Sequence, residues 1–212
     1  LSVFGRLIRQ SCLRGGGGSS QIKSKRCIGP IDGLTQYAEE NGFSITLTNN
    51  EDADYIIAMA KGTLSGENVD RTSLEVENDQ ELSAILPYKD KTIVFYRGVG
   101  ASLPGNWNKP AAVLIGFFPG QEQGLSMADV LFGDENPAAR LPVTFSASND
   151  QVMPKSNDYP KVDLAHGYFR VNKQNNKPLY AFGYGLSYTT FSYSNLTLSS
   201  SSIYKGQSIT AT

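Results

Sequence analysis

Two uninterrupted apolar segments, KTIVFYRG (residues 91–98) and AAVLIGFF (residues 111–118), decide the fold class of this chain. Neither alternates polar with apolar residues, as a strand with one solvent-facing side does. Continuous apolar runs of this length are typical of strands that are covered on both faces. We therefore predict an α/β protein, an α/β sandwich in which helices lie on both faces of a mainly parallel sheet.

Further strand-like and helix-like segments alternate along residues 1–146, which we interpret as one α/β domain. The other predicted strands are LSVFG (1–5), FSITL (43–47), DYIIAMA (54–60) and LPVTF (141–145). Helices are predicted over PIDGLTQYAEENGF (30–43) and GQEQGLSMADVLFG (120–133), the first opened by a proline and the second closed by a glycine. Asn78 and Glu81 have the spacing of a capping box, which predicts a further helix that begins at Asn78.

The composition changes after residue 146. Residues 147–190 are first polar and turn-rich, then aromatic and glycine-rich, and we predict a connecting segment packed on the α/β domain. Residues 191–212 alternate like the strands of an all-β unit, but one or two strands are too few to close a sandwich. We interpret this segment as the start of a further domain.

Composition excludes several classes of partner. The chain has 212 residues, a net charge of −1 and no basic cluster, so we expect no nucleic-acid partner. Its longest apolar run, residues 111–118, is too short to span a bilayer, so we expect no membrane partner. Cys12 and Cys27 could form one disulfide or remain two free thiols. The glycosylation sequon Asn195-Leu196-Thr197 slightly favours a secreted or lysosome-like location.

A glycine-rich loop, Gly15–Ser20, follows the first predicted strand and leaves three interpretations open. It could be a flexible turn, a nucleotide-binding turn or a loop that faces a sugar. The nucleotide fingerprint G-x-G-x-x-G is not satisfied, because Ser20 occupies the place of the third glycine, and no lysine follows as in a P-loop.

Serine-hydrolase and metal chemistry have little support in the sequence. GLSMA (124–128) and GLSYT (185–189) both lack the final glycine of a G-x-S-x-G nucleophile elbow, and the only histidine, His166, would have to be the base. One histidine and two separated cysteines give no ligand cluster. We predict neither a metal nor a cofactor.

One glutamate is singled out by its position. Glu67 lies in SGENVDR (65–71), directly after the predicted strand DYIIAMA, and the carboxyl ends of strands are where open α/β sheets build their sites. Taken alone, the segment is also compatible with an ordinary loop, in which Glu67 is solvated while Asp70 and Arg71 make local hydrogen bonds.

Several segments together resemble one family, the glycoside hydrolase family 3 enzymes of the β-glucosidase type, in their C-terminal α/β-sandwich domain. The resemblance rests on SGENVDRTSL (65–74), PGQEQGLSMADVLFGDENPAARLPVTF (119–145) and PLYAFGYGLSYTTFSYSNL (178–196). Near the start, VFG with GGGGSS and GPIDGL add to it. Departures include a short segment between ITLTNN and EDADYII, and RQSCLR before the glycines.

The resemblance implies a divided active site. An N-terminal (α/β)8 barrel of the same enzyme would supply the aspartate nucleophile, and this domain would supply the general acid/base, which here is Glu67. Gly17, Gly18, Ser19 and Ser20 would approach the aglycone side of the substrate, a β-glucoside or oligosaccharide. A fibronectin-III-like domain would follow, in agreement with residues 191–212.

The chemistry suits a glutamate on a mobile loop. A retaining glycosidase uses two carboxyl groups roughly 5–5.5 Å apart, one to attack the anomeric carbon and one to protonate the leaving oxygen. We expect Glu122 to be a poor second candidate, because the start of a helix favours its ionised form. We expect Arg71 to pair with a carboxylate. Without a barrel the 212-residue chain should be inactive alone, and the alternative is a non-catalytic sugar- or protein-binding module derived from the same domain.

Overall fold

The architecture is one parallel sheet with helices on both faces, which confirms the predicted fold class. The computed structural model describes residues 2–4, 23–48, 52–63, 66, 71, 73–152 and 167–212. The strands are β1 (Ser2–Phe4), β2 (Thr46–Thr48), β3 (Tyr55–Lys61), β4 (Thr92–Arg97) and β5 (Ala112–Phe117). They form a five-stranded sheet in the order β2-β1-β3-β4-β5, and every neighbouring pair is parallel.

Two α-helices cover one face of the sheet. Helix α1 spans Pro30–Glu40 and begins with its proline, as predicted, and helix α2 spans Gln123–Phe132 after a short 3₁₀ turn, Gly120–Glu122. Gly133 closes α2 with a left-handed φ of 92°, a conformation that suits glycine at a helix end. The core on this face contains Leu34, Tyr37, Ile57, Met59, Phe95, Met127 and Ala128.

A second core lies on the opposite face. Its strand residues are those that alternate with the first set, as the two-residue repeat of a strand requires. They pack with the buried side chains of a 3₁₀ helix, Glu81–Lys91, and with the fully buried Trp107 and Phe145. Cores on both faces explain why the strands are apolar throughout.

The predicted cap at Asn78 is wrong. The Asn78 side chain is buried, where its Nδ2 donates to the Met59 carbonyl oxygen (2.8 Å) and its Oδ1 accepts from the Lys61 amide (2.9 Å). The following helix is a 3₁₀ helix that begins at Glu81 and receives no side-chain cap. Asn78 therefore ties this connection to the end of β3.

The predicted last strand, LPVTF, is also wrong, since residues 141–145 do not join the sheet. Pro142 has no amide hydrogen to donate. The amides of Leu141 and Phe145 instead donate to the carbonyl oxygens of Tyr184 (2.8 Å) and Tyr180 (2.9 Å). The segment is therefore held by the aromatic residues that follow α3 (Gly167–Lys173).

Residues 178–212 present many apolar side chains to solvent. Phe182, Leu186 and Tyr188 are each more than half exposed, although the Tyr188 hydroxyl donates to the Val130 carbonyl oxygen of α2 (2.7 Å). The predicted connecting segment at 147–190 stays a prediction, as does the fibronectin-III-like start at 191–212. Within the described ranges, no helix combines the length and the apolar character that crossing a membrane requires.

Candidate functional site

The strand order places a switch point at the carboxyl ends of the strands, which form one edge of the sheet. From β1 the chain passes to β2 on one side, then to β3 on the other, so β1 and β3 are neighbours at a topological switch point. Open α/β sheets bind ligands outside the carboxyl ends of strands at such a point. In the sequence the glycine-rich loop follows β1 and the Glu67 loop follows β3, and the carboxyl ends of both strands lie at this edge. Glu67, Gly17, Gly18, Ser19 and Ser20 themselves lie outside the described residues.

The base of the Glu67 loop is held closed by hydrogen bonds on both sides of its stem. Gly62 and Val76 form an antiparallel bridge, and the Glu77 amide donates to the Lys61 carbonyl oxygen (2.7 Å). The Thr63 hydroxyl donates to the Glu75 carbonyl oxygen (2.5 Å). The chain between residues 63 and 75 therefore starts and ends at one fixed point on the sheet edge.

Arg71 makes a second attachment of the same loop. Its Nη1 donates to the Ala101 carbonyl oxygen at 3.1 Å. The carboxylate partner expected from the sequence is not found among the described residues. The Ala101 segment is itself fixed, because the Tyr96 hydroxyl lies 2.7 Å from both the Gly100 carbonyl oxygen and the Ser102 hydroxyl. Arg71 thus anchors the loop four residues beyond Glu67.

Burial keeps the Tyr96 phenol protonated. The Tyr96 side chain has no exposed surface, and burial raises the pKa of its hydroxyl. The hydroxyl can therefore donate to the Gly100 carbonyl oxygen at neutral pH. This contact gives the segment that receives Arg71 a hydrogen bond that does not titrate near neutral pH.

A cavity of about 160 Å³ lies beside this anchor. Its walls include the polar side chains of Arg71, Ser102, Ser146 and Gln151, and the buried Thr144 Oγ1, which has no hydrogen-bond partner among the described residues. Pockets that hold small-molecule ligands are usually about 300–1,000 Å³. The described residues therefore form a small polar niche, below the size of a usual ligand pocket.

A buried arginine at the end of β4 was missed by the sequence reasoning. Arg97 is 5% exposed, and its Nη1 donates to Oε1 of Gln123, which is fully buried at the start of α2 (3.1 Å). Burial lowers the pKa of Arg97, but an arginine remains charged at neutral pH. The signal was present in the sequence, since a charged residue closes the apolar run TIVFYR immediately before a glycine.

The structure supports the expectation that Glu122 is a poor general acid, and adds a cause. The Arg26 guanidinium binds both carboxylate oxygens of Glu122, with Nε donating to Oε1 at 2.7 Å. The hydrogen bond from Arg26 lowers the pKa of Glu122. Glu122 is therefore ionised at neutral pH, and it has no proton to give to a leaving group.

The alternative motifs do not assemble a site in the described part of the chain. GLSMA lies within α2, not at a strand-to-helix turn, and the Ser187 hydroxyl of GLSYT donates to Oδ1 of Asn136 (3.0 Å). His166 and Cys12 are outside the described residues, and Cys27 is disulfide-bonded. No group of His, Cys, Asp and Glu residues suited to a metal ion occurs among the described residues.

Comparison with known proteins identifies relatives for nearly the whole chain. The family model for the glycosyl hydrolase family 3 C-terminal domain matches residues 1–188. Probable beta-glucosidase A of Aspergillus niger is 34% identical over 182 residues, 78% of this chain and 21% of that protein. Probable beta-glucosidase M of Aspergillus oryzae is 32% identical over 209 residues, 86% of this chain and 27% of that protein.

Solved structures show the same fold. The β-glucosidase of Chaetomium thermophilum superposes with a TM-score of 0.77 at 24% identity, over 91% of this chain and 27% of that one. A glycoside hydrolase family 3 β-glucosidase from Neurospora crassa gives 0.75 at 27% identity, over 88% of this chain and 26% of that one. The chain thus spans about a quarter of the length of these proteins.

Proposed function

The chain belongs to the family of glycosyl hydrolase family 3 C-terminal domains, and from this premise we propose that it supplies the general acid/base of a retaining β-glucosidase, with Glu67 in that role. An N-terminal barrel of the same protein supplies the aspartate nucleophile and most sugar contacts. The substrate is a terminal β-linked glucoside, and the glycine-rich loop faces the aglycone.

The observation that carries the proposal is the attachment of the Glu67 loop at the switch point of the sheet. The loop is closed at its stem by the Thr63–Glu75 hydrogen bond and anchored again by Arg71 on Ala101. Between these attachments the chain can extend beyond the sheet edge, as a residue that acts in a site shared with another domain must. Gly66, next to Glu67, has no atom of the described residues within 4 Å of where a β-carbon would lie, so the described part of the chain does not crowd it.

The ionised state of Glu122 argues against this second carboxylate as the acid. A general acid must keep its proton until the leaving oxygen needs it, and a nearby carboxylate nucleophile together with exclusion of water raises a carboxyl pKa. Glu122 has the opposite environment, because the hydrogen bond from Arg26 lowers its pKa and keeps it ionised. Of these two glutamates near the edge, Glu67 is the one that a barrel docked on this side could place in a dry site.

The test uses the full-length protein and substrates that differ in leaving group. Positioned acid/base residues contribute roughly 10²- to 10⁴-fold to rate. Glu67→Gln should lose about that factor in kcat/KM on cellobiose or alkyl glucosides, whose leaving groups need a proton. It should retain far more activity on dinitrophenyl glucoside, whose leaving group does not. Azide should accelerate Glu67→Ala on the activated substrate and yield β-glucosyl azide.

Glu122→Gln is the matched control, because it removes a carboxylate from the same edge without touching the loop. This variant should keep cellobiose hydrolysis within a few-fold of wild type. Full hydrolysis of cellobiose by Glu67→Gln would remove Glu67 from the role. No hydrolysis by the wild-type full-length protein would instead favour the non-catalytic sugar- or protein-binding module.

A further inference from the structure

The sequon Asn195-Leu196-Thr197 lies in an accessible segment without regular secondary structure. All three residues are exposed, and Asn195 has a φ of +56°, the left-handed conformation that asparagine adopts more readily than most residues. Neither the Asn195 nor the Thr197 side chain has a hydrogen-bond partner in the described part of the chain. The Asn195 amide nitrogen is therefore free to carry a covalent group.

The chain directly after the sequon is paired with residues 210–212. The Thr197 and Thr212 backbones exchange hydrogen bonds of 2.9 and 3.0 Å, and Leu198 bridges Ala211 in the antiparallel sense. This pairing holds the backbone of Thr197, whereas the side chains of the sequon stay exposed.

A second observation concerns the compartment in which the chain folds. Cys27 is disulfide-bonded, and structural disulfides persist in oxidising environments such as the endoplasmic reticulum and the cell exterior. N-linked glycosylation takes place in the same secretory route, on asparagines of the sequence Asn-X-Ser/Thr. The disulfide of Cys27 and the exposed sequon thus point independently to one environment.

We propose that Asn195 is an N-glycosylation site. The co-reactant is an oligosaccharide linked to a lipid diphosphate. The Asn195 Nδ2 forms a bond to the anomeric carbon as it loses one proton, and the bond from that carbon to the diphosphate oxygen breaks. The lipid diphosphate leaves with the electron pair of that bond, and no oxidation occurs. The attached glycan would also cover Leu196, which is 76% exposed, and Tyr193, which is 95% exposed.

The test is the site-specific occupancy of Asn195 in the full-length protein secreted from yeast. Peptides that span residue 195 should be recovered with a glycan attached, and peptide-N-glycosidase F in heavy-oxygen water should convert Asn195 to labelled aspartate. Asn195→Gln and Thr197→Ala should each remove one glycan from the intact mass. Thr197→Ser preserves the acceptor sequence and should keep it.

The matched control for chain damage is Thr189→Ala, an exposed threonine outside any sequon, which should leave the glycan count unchanged. Recovery of the wild-type peptide wholly unmodified from the secreted, disulfide-bonded protein would overturn the proposal. An intact mass that Asn195→Gln does not lower by one glycan would overturn it as well. Neither outcome depends on hydrolytic activity, so the result is separate from the role of Glu67.

Discussion

Replacement of Gly124 by alanine should loosen the packing of α1 against α2. A β-carbon on Gly124 would lie 2.0 Å from the Gly29 carbonyl oxygen and 2.7 Å from its carbonyl carbon. Both atoms are backbone. They are held in place by the hydrogen bonds Gly33 N–Gly29 O (2.9 Å) and Gly124 N–Ile28 O (3.0 Å). The clash can only be relieved if the two helix starts separate by about 1 Å, since β-carbons are not found within 3.0 Å of another atom.

The magnitude follows from two opposing terms. Overpacking of a tight contact costs about 1–3 kcal/mol, and a clash with fixed backbone belongs at the upper end of that range. Replacement of glycine by alanine within a helix increases the stability of the fold by roughly 0.5–1 kcal/mol. The clash is therefore the larger of the two terms, and the net loss of stability is about 2 kcal/mol.

Hydrogen exchange of peptides from α1 and α2 in the full-length protein measures this loss directly, because it reports local opening. A change of about 2 kcal/mol should accelerate exchange through that opening by roughly 30-fold. Gly66→Ala is the matched control, since no atom lies within 4 Å of its added carbon, and it should leave exchange in the two helices unchanged. Exchange in Gly124→Ala as slow as in wild type would refute the reasoning, because helix propensity would then outweigh the clash.

Two further predictions concern polar contacts. The hydrogen bond from Tyr37 to Asp134 raises the tyrosine pKa from 10.0 to about 12. Its contribution is therefore complete below pH 10 and lost as pH rises to about 12. The difference in urea midpoint between wild type and Tyr37→Phe should shrink over that range, and a constant difference would contradict it. Asp79 Oδ1 accepts from the amides of Asn106 (2.7 Å) and Trp107 (3.1 Å), so Asp79→Ala should cost about 1–3 kcal/mol and Asp79→Asn less, measured by urea unfolding.

The sequence predicted those features that depend on local pattern. Continuous apolar runs predicted β3, β4 and β5, and Pro30 and Gly133 marked the helix ends that the structure has. Asn78 shows the limit of such patterns. Its spacing to Glu81 fits a cap, but a buried asparagine gains more from two backbone partners on β3 than from one at an exposed helix start.

Long-range pairing explains the other differences. Whether LPVTF joins the sheet depends on Tyr180 and Tyr184, which lie much further along the chain and whose carbonyl oxygens accept from the amides of Phe145 and Leu141. The Arg26–Glu122 pair is separated by 96 positions. No local spacing in the sequence predicts such contacts. For the site, the sequence predicted loops after the strands β1 and β3, but the anchor of Arg71 on a carbonyl oxygen depends on the fold of the β4 connection.

The uniform direction of the strands has a practical consequence for handling the protein. The carboxyl ends of the strands lie on the side of the proposed chemistry, and their amino ends lie on the opposite side. Lys89 and Asp90 are exposed on that opposite side, at the end of the 3₁₀ helix that directly precedes β4. A surface linker or reporter dye attached at these two residues would leave the side of the proposed chemistry facing the solution.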